Sequence, residues 1–162
     1  MFAVTAARSA VTFGPKAVPA ADGDTVLHDM HDRITHRLST FSLHAELRGH
    51  VQAVMIELPP LVLLDLLDDP AFTLSDYDPA AGRIFHVPVG LPVRGRPGRS
   101  VVLKQTVLRR PEAFVRWVIA HELAHAHLRN AGRFPGEDPE HAADALAMEW
   151  GFPKPTPAAW GT

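Results

Sequence analysis

The sequence predicts one α+β domain, and three patterns carry that reading. A helical apolar period begins at Asp24, two β-rich runs occupy the middle of the chain, and two well-punctuated helices fill the last third. The 162 residues lie within the length of a single domain, and 46% hydrophobic content supplies a core. The expected layout is an N-terminal arm or edge strand at 1–23, one domain at 24–152, and a Pro-rich tail at 153–162.

Residues 1–23 alternate weakly and pass through Gly14, Pro15, Pro19 and Gly23, as an edge strand or loosely held arm would. From Asp24, the residues Val26, Leu27, Met30, Ile34 and Leu38 fall on one helical face, with Asp24 or Thr25 as N-cap. Residues 51–58 (VQAVMIEL) fit a strand or a helix turn, and Pro59-Pro60 ends that element before the apolar segment 61–67, which stops at Asp69-Pro70. The stretch 75-SDYDPAAG reads as a polar turn. The runs 83-RIFHVPV and 101-VVLKQTVL read as strands joined by a long hairpin loop, Pro88 confining the first to an edge or a bulge. Pro111 at a first-turn position opens a helix that runs to Asn130-Ala131-Gly132, and Asp138-Pro139 opens another that ends at Trp150-Gly151.

Composition removes several functions. With 0 Cys there is no disulfide framework, thiolate metal site or cysteine nucleophile, so a metal must sit on the 10 His and the carboxylates. The net charge of -2 is too balanced for a generally basic nucleic-acid binder. Arg8, Gly14 and Lys16 interrupt the first stretch before it forms a signal-type core, and 61–67 is far shorter than the roughly 18 apolar residues that span a bilayer. A soluble, cytoplasmic protein without a membrane partner is expected.

The chemistry concentrates in 121-HELAH. Residues four apart on a helix share a face, so His121 and His125 can hold one zinc ion with Glu122 beside them as general base. Phe114, Val118, His121, His125 and Leu128 form one stripe, which predicts that both histidines are at least partly buried. A catalytic zinc with two His ligands takes a third protein ligand and leaves a position for water. In the next helix Glu140, Ala143, Asp144 and Ala147 share a face, and the alanines allow close approach. Glu140 is assigned as third ligand, and Asp144, one turn on, as acceptor of a ligand histidine's free ring N–H. Asp144 could instead be the ligand. His141 and His127 are further candidates, both expected off the metal face.

HELAH on one helix followed by 140-EHAADALA on the next resembles the zinc metallopeptidase domain of the ImmA/IrrE type, whose second helix reads Glu-x-x-Ala-Asn/Asp-x-hydrophobic-Ala. The resemblance spans residues 101–152. It implies a minimal gluzincin fold with helices packed on a small sheet, an edge strand beside the cleft, and zinc held by His121, His125 and Glu140. It also implies hydrolysis of peptide bonds in a protein substrate. SprT-like proteases are a neighbouring possibility, with a His as third ligand, which here would be His141. The metzincin pattern is excluded, because Leu128 and Ala131 stand where HExxHxxGxxH requires Gly and His.

In that chemistry Glu122 takes a proton from water and passes it to the leaving amine. A second electrophile could be His141, His127, His86, Tyr77 or an arginine. Residues 101–107 could lie along the cleft and pair with an extended substrate backbone. A zinc-stabilised binding or regulatory module without catalysis is the rival class, and the presence of Glu122 speaks for the enzyme. Two lesser signals remain. Arg94, Arg96 and Arg99 in 94-RGRPGR have the look of an A·T minor-groove reader, or of a charged loop. His28 and His31 with Asp29 and Asp32 suggest either a second metal or a solvated helix face, and Trp117 and Trp150 read as core.

Overall fold

Prolines and a few apolar spacings set the element boundaries. In the computed structural model, which describes residues 23–81, 98–129 and 138–156, helix α1 spans Gly23–Ser39. It begins ahead of Asp24, so Asp24 and Thr25 lie within the first turn. Ile34 and Leu38 are buried and Met30 packs against the core, as the apolar period requires. The ambiguous run 51–58 belongs to helix α2 (Ala45–Glu57), whose Leu47, Val51, Val54 and Met55 bury one face at helical spacing. Pro59 holds Leu58 in extended backbone and ends α2, and Pro60 at the first position starts α3 (Pro60–Leu67), which buries Leu63 and Leu66.

The turn expected at 75-SDYDPAAG starts later than its composition suggests. Residues Thr73–Tyr77 form strand β1, and only Asp78 and the short 3-10 segment Pro79–Ala81 turn. The partner is strand β2 (Ser100–Lys104), paired in parallel from Thr73↔Ser100 to Tyr77↔Lys104. Buried Leu74, Ser75, Val101 and Leu103 explain why a polar stretch becomes a strand, since tertiary burial overrides weak local preference. The expected hairpin partner at 83–89 lies outside the described residues. The β-run at 101–108 is also shorter than expected, because Gln105–Arg109 form a 3-10 turn that buries Val107. Asp76 secures the junction by accepting from His44 N and Gln105 Nε2, each at 3.0 Å.

Helix α4 (Glu112–Leu128) follows Pro111, which occupies the N-cap position. It packs against α2, α3 and β2, and buries Val115, Trp117, Ile119, Ala120, Leu123, Ala124 and Ala126 as well as both histidines. It is therefore a central helix rather than one with a single apolar stripe, and in the expected stripe Phe114 and Val118 are only partly buried. Helix α5 (Pro139–Glu149) opens where Asp138 accepts from Glu140 N at 3.0 Å, a side-chain N-cap ahead of Pro139. Ala143 and Ala147 are fully buried on the side packed against α4. Gly151, at φ 92°, ends α5 in a Schellman turn with Phe152 N bonded to Ala147 O at 2.8 Å. Phe152 then enters the core and directs the chain back along α4.

The described residues thus form a mixed α+β arrangement of five helices and a two-stranded parallel sheet. A buried charge group ties its parts together. The Arg99 guanidinium, 3% exposed, bonds the Asp65 carboxylate and carbonyl and pairs with Asp69 at 3.3 Å, while His127 donates to Asp65 at 2.7 Å. Arg99 is thereby withdrawn from the trio suggested for a DNA groove, and Arg94 and Arg96 lie outside the described residues. Among the described residues no helix is long and apolar enough to cross a membrane.

Candidate metal centre

His121 and His125 stand one turn apart on α4, both buried, with ring centroids 4.6 Å apart and the rings nearly perpendicular. Their Nε2 atoms are 3.1 Å apart. Glu140, in the first turn of α5, places Oε2 3.2 Å from His121 Nε2 and Oε1 3.3 Å from His125 Nε2. Each nitrogen thus has its own Glu140 oxygen beside it, and one ligand atom from each of the three residues lies within 4.8 Å of the others, a spacing that could hold a metal ion. The Glu140 side chain is 70% exposed, so the triangle is reached from solvent on that side.

Hydrogen bonding shows what a cation held there would do. Asp144 Oδ1 is 2.9 Å from His121 Nδ1, and a carboxylate only accepts, so Nδ1 carries the proton. In the neutral ring Nε2 is then a lone pair facing Glu140 oxygen, an acceptor against an acceptor. A proton or a metal ion between them removes that repulsion. His125 is held below its usual 6.5, first by burial and then by the charge of His121, which keeps its imidazole neutral and free to ligate. Among the described residues, His121, His125 and Glu140 are the group whose donors converge closely enough to hold a metal ion.

Glu122 sits beside this triangle. Burial raises its carboxyl above 4.5, the His121 charge acts against that, Glu140 adds to it, and Arg129 opposes. A carboxylate moved towards neutrality is a better proton acceptor at physiological pH. For Asp144 burial alone would raise the pKa. The hydrogen bond from Lys154 and the charge of His121 outweigh it, and the carboxyl lies below 3.8.

The other sequence candidates fall elsewhere. His141 is exposed on α5 and belongs to no ligand group among the described residues, its backbone N–H being capped by Asp138 at 3.4 Å. His127 is committed to Asp65 and stacks edge-on against Trp150. Tyr77 closes β1, and His86 lies outside the described residues. His28 pairs with Asp32 across one exposed turn at 3.6 Å, and His31 accepts from Gln52 at 3.2 Å, a solvated face rather than a second metal group. Trp150 is core, while buried Trp117 also borders the centre, its ring 5.5 Å from that of His121. Trp117 further lines a groove of about 310 Å³ with Glu112, Ala113, Arg116, Gly151, Phe152 and Pro153.

Sequence reasoning missed Lys154 and Arg129. Lys154 lies in an irregular tail with no periodic relation to α5, so no local pattern could have linked it to Asp144. No protein-family model matches the chain, and neither curated proteins nor solved structures show significant similarity to it.

Proposed function

We propose that the protein is a zinc-dependent endopeptidase with a minimal gluzincin domain of the ImmA/IrrE type, in which His121, His125 and Glu140 hold zinc and Glu122 is the general base. The observation that carries this reading is the convergence of three ligand atoms within 4.8 Å, on two adjacent helices, with a carboxylate in the position next to a ligand histidine. The resemblance of HELAH and 140-EHAADALA to that family's motifs supports it further.

Zinc bound there would polarise a peptide carbonyl and acidify a water at neutral pH. The chain's own groups would do the rest. Asp144 fixes the His121 tautomer so that Nε2 points its lone pair into the triangle. Glu122, its proton affinity raised by burial, would take the water proton at its carboxylate and deliver it to the leaving nitrogen. Strand β2 packs against α4 and pairs with β1 on one edge; its second edge, unpaired among the described residues, would receive an extended substrate backbone over Ser100–Lys104.

A structural zinc site has no use for an acid beside its ligands, which is the point to test. Wild type and Glu122→Gln are loaded with zinc and incubated with a proteome-derived peptide library, and new termini are mapped by mass spectrometry. The variant should retain zinc and lose cleavage by about 10²–10⁴-fold. Cleavage equal in both proteins, or none by a zinc-loaded wild type, would replace the enzyme with a zinc-stabilised binding module.

A further inference from the structure

We infer that Lys154 is a positioning residue of the metal centre, acting through Asp144 to hold His121 in its ligating orientation. The inference rests on the reading of His121, His125 and Glu140 as metal ligands. Lys154 Nζ donates to Asp144 Oδ2 at 2.8 Å, while Asp144 Oδ1 receives the His121 Nδ1 proton at 2.9 Å. The two oxygens of one carboxylate are thus divided between a lysine and a histidine. The same ammonium lies 4.8 Å from the centroid of the Trp117 ring, which packs on the His121 ring. Lys154 therefore touches both groups that flank this histidine.

The division has a physical consequence. Asp144 is on α5 and its side chain is 25% exposed, and the terminal torsion of an aspartate is broad, so an untethered carboxylate would rotate and hydrate. With Oδ2 occupied, Oδ1 remains for His121. That keeps the ring's proton on Nδ1 and its lone pair on Nε2, where Glu140 and His125 converge. The path to Lys154 is built by the fold, since the left-handed Gly151 and buried Phe152 reverse the chain and bring 153–156 back beside α4. As an ion pair half in solvent, Lys154–Asp144 contributes little to stability, which leaves orientation of the histidine as its main effect.

The test is a double-mutant cycle on the full chain, read as zinc affinity by competition with a chromogenic chelator. Partners that orient a metal-ligating histidine are worth 10- to 100-fold in affinity; for Lys154→Met, one contact further out, about 3- to 10-fold weakening is expected. Lys154→Arg should recover most of that loss, and Lys154→Met should add nothing in an Asp144→Asn background. A second reading comes from ¹⁵N spectra of the metal-free chain, in which His121 should shift from a dominant Nδ1–H tautomer in the wild type to a mixture in Lys154→Met. Zinc bound by wild type and by Lys154→Met with equal affinity overturns the role of Lys154 and leaves the metal centre standing. An equal loss in both backgrounds also overturns it, pointing to packing on Trp117. A wild type that binds no zinc removes the metal centre and the inference with it.

Discussion

Replacing Glu140 with alanine should separate metal binding from folding. The side chain is 70% exposed and its contacts are with two histidine nitrogens, so the metal-free variant should match the wild type within about 1 kcal/mol. Zinc binding is another matter. Complete four-ligand sites are worth roughly 10–16 kcal/mol, so one ligand accounts for about 3–4 kcal/mol, or roughly two to three powers of ten in affinity. Free zinc at a thousand times its Kd would stabilise the wild type by about 4 kcal/mol, raising Tm by roughly 8–16 °C for a chain of this length. At the same zinc concentration Glu140→Ala should gain only about 0.4–1.4 kcal/mol, a few degrees at most. Differential scanning calorimetry with zinc and with chelator measures both quantities, and His141→Ala should behave as the wild type. A full zinc shift in Glu140→Ala, or its loss in His141→Ala, would refute the donor triangle.

Two further outcomes follow from packing and charge. Ala143 is fully buried on the side of α5 that packs against α4, so Ala143→Leu should cost about 1–3 kcal/mol by overpacking and shift Glu140 and Asp144 away from the histidines, while exposed Ala145→Leu should do neither. Calorimetry and zinc titration of the two variants check this, and normal zinc affinity in Ala143→Leu would show that the helix spacing does not set the site. In the metal-free chain His125 titrates below 6.5, so from 6.5 downward the unfolded state binds its proton first and stability falls with pH. Glu122, raised above 4.5, does the opposite: the folded state binds its proton first, and stability is recovered as pH falls towards 4.5. Glu122→Gln removes that compensation, so urea melts from pH 7 to 4.5 should show a steeper loss than in wild type; parallel curves would contradict the assignment.

Much of the site was legible because its information is local. His121 and His125 at four-residue spacing, Asp138-Pro139 at a helix start, and Glu140, Ala143, Asp144 and Ala147 on one face all follow from 3.6 residues per turn and from proline's fixed backbone. The absence of Cys likewise restricted any metal to imidazole and carboxylate before any fold was known. Helix α2 is half hidden in the sequence because its apolar face begins at Leu47, ahead of the apolar-rich run at 51–58.

The sequence by itself determined where helices break, which side chains share a face, and which residue types can bind a metal. Tertiary structure decided the rest. Thr73–Tyr77 became a strand only because β2 supplied its hydrogen bonds and the core covered Leu74. Asp65, Arg99 and His127, far apart in the chain, met only when α3, β2 and α4 packed. Lys154 found Asp144 through the reversal at Gly151. Backbone sterics act within a turn or two and can be read residue by residue. Pairing, charge partners and the rotation of α5 against α4 depend on contacts between distant residues, and those exist only once the chain has closed on itself.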